Sequence, residues 1–138
     1  MTKKQKIFYA IVFVVHFLIS GVALILIKLI KLLCDEWFDI ALEIAIGLIL
    51  IHALLLPIIG IFIGILSYKL TRRIIITPIL MTISGIVSVS LFLFVMDMRI
   101  YALVILSHPF YVAYVAPVMA LISSAISKLK EKMASKNA

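Results

Sequence analysis

Ile44–Tyr68 reads IAIGLILIHALLLPIIGIFIGILSY, 25 residues without one Asp, Glu, Lys or Arg. A helix rising about 1.5 Å per residue needs roughly 20 apolar residues to cross the hydrocarbon core of a bilayer. This stretch is therefore long enough to span. Three more charge-free runs of at least 21 residues flank it: Ile7–Ile27, Ile74–Met96 and Ile100–Ser127. In lipid a backbone must satisfy its own polar groups, which makes each run a helix rather than an isolated strand. The sequence predicts an all-α, polytopic membrane protein with four transmembrane helices in an up-down-up-down bundle. It forms one domain over 1–138, with spans at about 7–27, 41–66, 74–96 and 100–127.

Composition agrees. Apolar residues make up 66% of the chain and charged residues 14%, against about 45–50% and about 25% in an ordinary soluble domain. The longest connection, Lys28–Glu43, is too short to fold by itself. The formal charge of +7 would suggest nucleic acid in a soluble protein. Here cytoplasmic flanks that collect Lys and Arg against anionic headgroups explain it, and no nucleic-acid partner is expected. The single cysteine, Cys34, excludes an internal disulfide and any Cys-x-x-Cys motif. Lys3, Lys4 and Lys6 precede an apolar stretch longer than a signal-peptide core, which reads as an uncleaved first span.

Orientation follows from the basic residues. With Met1 in the cytoplasm, ten fall inside (Lys3, Lys4, Lys6, Lys69, Arg72, Arg73, Lys128, Lys130, Lys132, Lys136) and three outside (Lys28, Lys31, Arg99). That bias across short loops places both termini in the cytoplasm. The short connections Lys69–Arg73 and Asp97–Arg99 are expected to make sequential helices antiparallel neighbours. Lys28, Lys31 and Asp35 share one stripe, so the first helix is expected to continue as a short interfacial extension with Trp37 as its headgroup-level anchor. Snorkelling of Lys28 and Lys31 from a long tilted span is the alternative. The lysine-rich tail after Ser127 is expected to fray. No internal repeat supports an inverted-repeat transporter. Size and richness in Ile, Leu and Lys suggest the bacterial cytoplasmic membrane.

Helices in lipid associate through close backbone approach and interhelical hydrogen bonds. Each run carries one face suited to this. The second has Gly60 and Gly64, a Gly-x-x-x-Gly pair. The third has Thr77, Met81, Ser84 and Ser88 with Gly85 beside them. The fourth has Ala113, Ala116, Ala120, Ser123 and Ser127, and the first Tyr9, His16, Ser20 and Ala23. Pro57, Pro109 and Pro117 lie within spans and are expected to kink them, freeing the carbonyls of Ala53, Ile105 and Ala113. Neighbouring hydroxyls or water fill such carbonyls in a structural protein, whereas ions or hinges use them in a transporter.

Residues able to carry chemistry are few: His16, His52 and His108, with Glu43 at the edge of the second span. Ionisable groups inside spans are functional candidates. His16 and His52 fall at matched depth on consecutive helices, a pair able to bind metal or haem or to relay a proton, with His108 outlying. The competing reading has each imidazole neutral and bonded to a neighbour, His16 to Ser20. No His-Glu-x-x-His, phosphate loop, Gly-x-Ser-x-Gly or intramembrane carboxylate pair is present, and the first helix lacks the carboxylate of a small multidrug exporter. The sequence therefore gives no catalytic signature and no cofactor. It leaves three readings. One is an accessory, regulatory or immunity-type protein that binds a membrane partner through helix faces. The others are a small oligomeric transporter or channel subunit, and a membrane enzyme or haem carrier using histidines.

Overall fold

The computed structural model describes residues 1–34, 38–95 and 107–136, with side chains outside 22–24, 26–46, 48–49, 92–93, 95–110 and 112. The described residues form four helices and no strand: α1 (Lys3–Cys34), α2 (Phe38–Thr71), α3 (Ile76–Val95) and α4 (Ser107–Lys136). Two segments, Lys3–Gly21 and Leu50–Thr71, are long and apolar enough to cross a membrane, and Ile76–Leu91 is a shorter apolar helix. Trp37 lies outside the described residues, as do the side chains of His108, Pro109 and Glu43.

The helix ends have local causes. Thr2 and Gln5 form a reciprocal capping box: the Gln5 N–H donates to Thr2 Oγ1 (3.3 Å) and the Thr2 N–H to Gln5 Oε1 (3.0 Å). At the end of α2 the chain turns through Arg72, which is left-handed at φ 57°. Its N–H still donates to the Tyr68 carbonyl (2.9 Å). A left-handed position is usually filled by glycine, because a Cβ there costs about 1–2 kcal/mol. The Thr71 hydroxyl ties the turn, donating to the Ser67 carbonyl (2.8 Å) while accepting from the Arg73 N–H (3.2 Å).

Helix α1 runs against α2, with Gln5 Nε2 donating to the Leu70 carbonyl (3.3 Å). Helix α3 packs on α1, α4 packs on both α2 and α3, and the diagonal pairs α1/α4 and α2/α3 barely touch. The order around the bundle is thus α1–α2–α4–α3. This corrects the expectation that the short second connection makes α2 and α3 neighbours. Loop length limits only reach, and the link 72–75 can extend about 3.3–3.6 Å per residue. That is enough to cross the end of a bundle whose helices are about 8–10 Å apart. The faces that approach most closely decide who packs on whom, and α2 offers its glycines to α4.

Helix α4 continues unbroken to Lys136, which corrects the expectation of a frayed tail. Pro57 and Pro117 stand inside α2 and α4. Pro109 lies in the described part of α4, two residues after Ser107.

Candidate functional site

The interior is a seam of small and hydroxylated residues inside an apolar shell. Among the described residues nine polar side chains are buried, all but His16 a serine or threonine, and the buried apolar set is no larger. Outside, thirty large hydrophobic side chains among the described residues are exposed.

The α2–α4 half of the seam is built on close approach. A Cβ added to Gly60 would lie 3.0 Å from both Ala116 Cα and Met119 Cβ, and one on Gly64 would lie 2.8 Å from Ala120 Cα. Ala113, Ala116 and Ala120 are buried opposite. Because the backbones are this near, Ser124 Oγ can donate to the Gly64 carbonyl (2.8 Å). One turn before Pro57, the Ala53 carbonyl that the proline frees accepts from the Tyr111 hydroxyl (3.2 Å).

The α1–α3 half is polar. His16 is buried, with Nδ1 2.9 Å from Ser84 Oγ. The Ser84 hydroxyl directs its own proton to the Met81 carbonyl (2.9 Å), an acceptor that the imidazole also engages. With its proton on the Met81 carbonyl, the Ser84 oxygen accepts from the imidazole, so the network assigns the proton to Nδ1 and leaves Nε2 as a lone pair. Gly85 makes room for the ring, since a Cβ there would stand 3.0 Å from His16 Cε1. Ser88 Oγ donates to the Phe17 carbonyl (2.7 Å), closing the same interface. The histidine's partner is thus a serine on α3 rather than Ser20. Among the described residues, His16 Nε2, Ser20 Oγ and Tyr9 Oη, all on the inner face of α1, are buried without a protein hydrogen-bond partner.

His52, on α2, is half-buried and bonds to the backbone of Ile19. It meets α1 one turn beyond His16, and the two imidazoles have different partners. Among the described residues no three of His, Cys, Asp and Glu gather where a metal would sit.

The third feature lies at the end where α1 begins, α2 ends, α3 begins and α4 ends. Tyr68 Oη donates to Glu131 Oε2 (2.6 Å), and Arg72 pairs with Glu131 Oε1 while its guanidinium stands 5.6 Å from the Tyr68 ring centroid. The Tyr68 hydroxyl first, and then Arg72, hold the Glu131 carboxyl below the usual carboxylate range. This contact pins the tail of α4. It joins residues about sixty apart, so no sequence pattern announces it; the capping box, by contrast, is written as Thr-x-x-Gln at the start of α1. Ser67 and Thr77 share a hydroxyl–hydroxyl bond beside it that joins α2 to α3.

No family model, no curated protein and no solved structure matches this chain.

Proposed function

We propose that the chain is a four-span protein of the cell membrane with both termini in the cytoplasm. It acts as an accessory, regulatory or immunity-type protein, through helix contacts with a membrane partner. The distribution of the side chains carries this reading: an interior in which hydroxyls and one imidazole are as many as the apolar residues, inside a shell of exposed Ile, Leu, Val and Phe. In water that shell would expose far more contiguous apolar surface than a soluble monomer tolerates, whereas lipid solvates it at no cost. Ten basic residues at one end of the bundle, with Glu131 their single acid, fit the cytoplasmic face. Inside, the hydroxyls of Ser67, Thr77, Ser88 and Ser124 are spent on neighbouring helices and those of Thr71, Ser84 and Ser123 on their own, which leaves the outer faces of the helices as the means of contact.

The second reading, a small oligomeric transporter or channel subunit, draws on the row of open polar atoms along α1: Tyr9 Oη, His16 Nε2 and Ser20 Oγ. Single cysteines at Ser135 and Met98 in a Cys34→Ser background test the topology. On intact cells a membrane-impermeant thiol reagent should label Met98→Cys and spare Ser135→Cys. Labelling of both, or of Ser135→Cys alone, overturns it. Purification in mild detergent separates the two functions: a stoichiometric larger partner supports the first, and a clean homo-oligomer the second.

A further inference from the structure

At the basic end, a groove of about 360 Å³ opens between the α2–α3 link and α4, lined by Arg72, Arg73 and Lys128 above an isoleucine floor that includes Ile75. Ile75 also lines a second groove, of about 290 Å³, that runs down the outer side of the α3/α4 contact. Its walls are Ile75, Pro78 and Ile79 on one side and Pro117, Val118 and Leu121 on the other. The two grooves share Ile75, so a cationic mouth and an apolar channel lie side by side at that residue. Ligand sites commonly occupy about 300–1,000 Å³.

The chemistry of each part is specific. Thr82 brings a hydroxyl to the channel, and that hydroxyl donates to the Pro78 carbonyl (3.0 Å), so the channel offers an occupant only hydrocarbon. At the mouth, Glu131 already pairs with Arg72, and that is the sole ion pair among the described residues. Arg73 and Lys128 are exposed and face no protein carboxylate there. From Ile75 to Ile83 the channel follows α3 for eight residues, about 12 Å at 1.5 Å per residue. An occupant therefore carries negative charge at one end and a linear apolar chain at the other.

We propose that this groove binds one anionic phospholipid, its phosphate between Arg73 and Lys128 and one acyl chain along α3 and α4 between Pro78 and Pro117. The assignment rests on the membrane reading above, and it goes further in giving the bundle a lipid-selective face. Basic pockets at the cytoplasmic side of helices suit anionic headgroups, each nearby cation contributing about 1 kcal/mol.

The test is native mass spectrometry of the full chain in detergent, titrated with phosphatidylglycerol and with phosphatidylcholine of the same acyl chains. The wild type should retain one phosphatidylglycerol in preference to phosphatidylcholine. Arg73→Gln with Lys128→Gln should weaken phosphatidylglycerol binding about thirtyfold, the ratio for two lost cations at about 1 kcal/mol each. The control Lys130→Gln with Lys132→Gln should stay within about threefold of wild type. Val118→Trp, which fills the channel and leaves the cations, should weaken binding of both lipids. Glycerol phosphate, the headgroup without its chains, should not compete; competition would assign a free-phosphate site and overturn the lipid. Equal retention of the two lipids, or equal losses in the groove and control variants, also overturns it. A chain released from membranes by alkaline carbonate overturns the membrane reading as well. A carbonate-resistant chain whose lipid binding ignores the groove overturns this inference alone.

Discussion

Replacing Gly64 with alanine tests the close approach of α2 and α4 with a single methyl group. The new Cβ would lie 2.8 Å from Ala120 Cα, and nearer still to the Ala120 carbonyl and the Ser123 hydroxyl. Carbon atoms prefer about 3.5–4.0 Å, and two of these three obstacles are backbone, which no rotamer can move. The helices must separate by most of an ångström. Overpacking of this kind costs about 1–3 kcal/mol. Separation also stretches the Ser124–Gly64 hydrogen bond, which measures 2.8 Å, and such bonds between membrane helices are worth about 0.6 kcal/mol. Against this, alanine is a better helix residue than glycine by about 1 kcal/mol. The net is a loss of about 0.6–2.6 kcal/mol, or a factor of about 3–70 in the folding equilibrium. Gly47 supplies the control, because nothing lies within 4 Å of a Cβ placed there. Gly47→Ala should keep the helix gain and stabilise by up to about 1 kcal/mol. Reversible unfolding in mixed micelles, with the SDS mole fraction as denaturant and far-UV circular dichroism as signal, reads both variants on one scale. The two substitutions should move the midpoint in opposite directions. If Gly64→Ala is as stable as Gly47→Ala, the α2–α4 seam is not a close contact.

Two further outcomes follow from the hydrogen-bond network and the basic end. In ¹⁵N-histidine spectra of the folded protein, His16 should show a protonated Nδ1 and a pyridine-like Nε2, and Ser84→Ala should cost about 1 kcal/mol of stability; a pyridine-like Nδ1 would sink the network as assigned. Because Tyr68 and Arg72 lower the Glu131 pKa on folding from its ordinary 4.5, their contribution is complete above that value and is lost as the pH falls through the lower, folded one. Hydrogen-exchange protection of residues 128–136 should therefore be flat at neutral pH and decline below the ordinary carboxylate range. Glu131→Gln should be low and pH-independent throughout, and a wild-type profile that does not decline in acid would remove the carboxylate from the account.

How much of this was legible in the sequence follows from the range of each interaction. Helices show because apolar runs and charged breaks are local. Stripes such as Thr77, Met81, Ser84 and Ser88 show because a period of three and four reports a shared face. Which stripes meet does not show. The sequence offers His16 the nearby Ser20 as partner, since they are one turn apart, yet the bond goes to Ser84 across 68 positions. The expected contact of α2 with α3 failed for the same reason: a short link is a local fact, and helix pairing is decided by steric fit between distant faces. The pinning of α4 by Tyr68 and Arg72 was equally hidden, because a lysine-rich tail looks solvated until its one acid is matched with groups on another helix.

The ring order α1–α2–α4–α3 has a consequence for synthesis. As the chain emerges, α2 is made well before its main neighbour. A hairpin of α2 and α3 gains little beyond the Ser67–Thr77 bond, since that pair sits across the diagonal. Until α4 is delivered, Gly60 and Gly64 have no alanine face to meet, and α2 holds a bare glycine groove toward whatever helix is close by. A chain stopped after Val95 keeps the α1–α2 and α1–α3 contacts but leaves the glycine face of α2 open, and α4 is the helix that locks the four together.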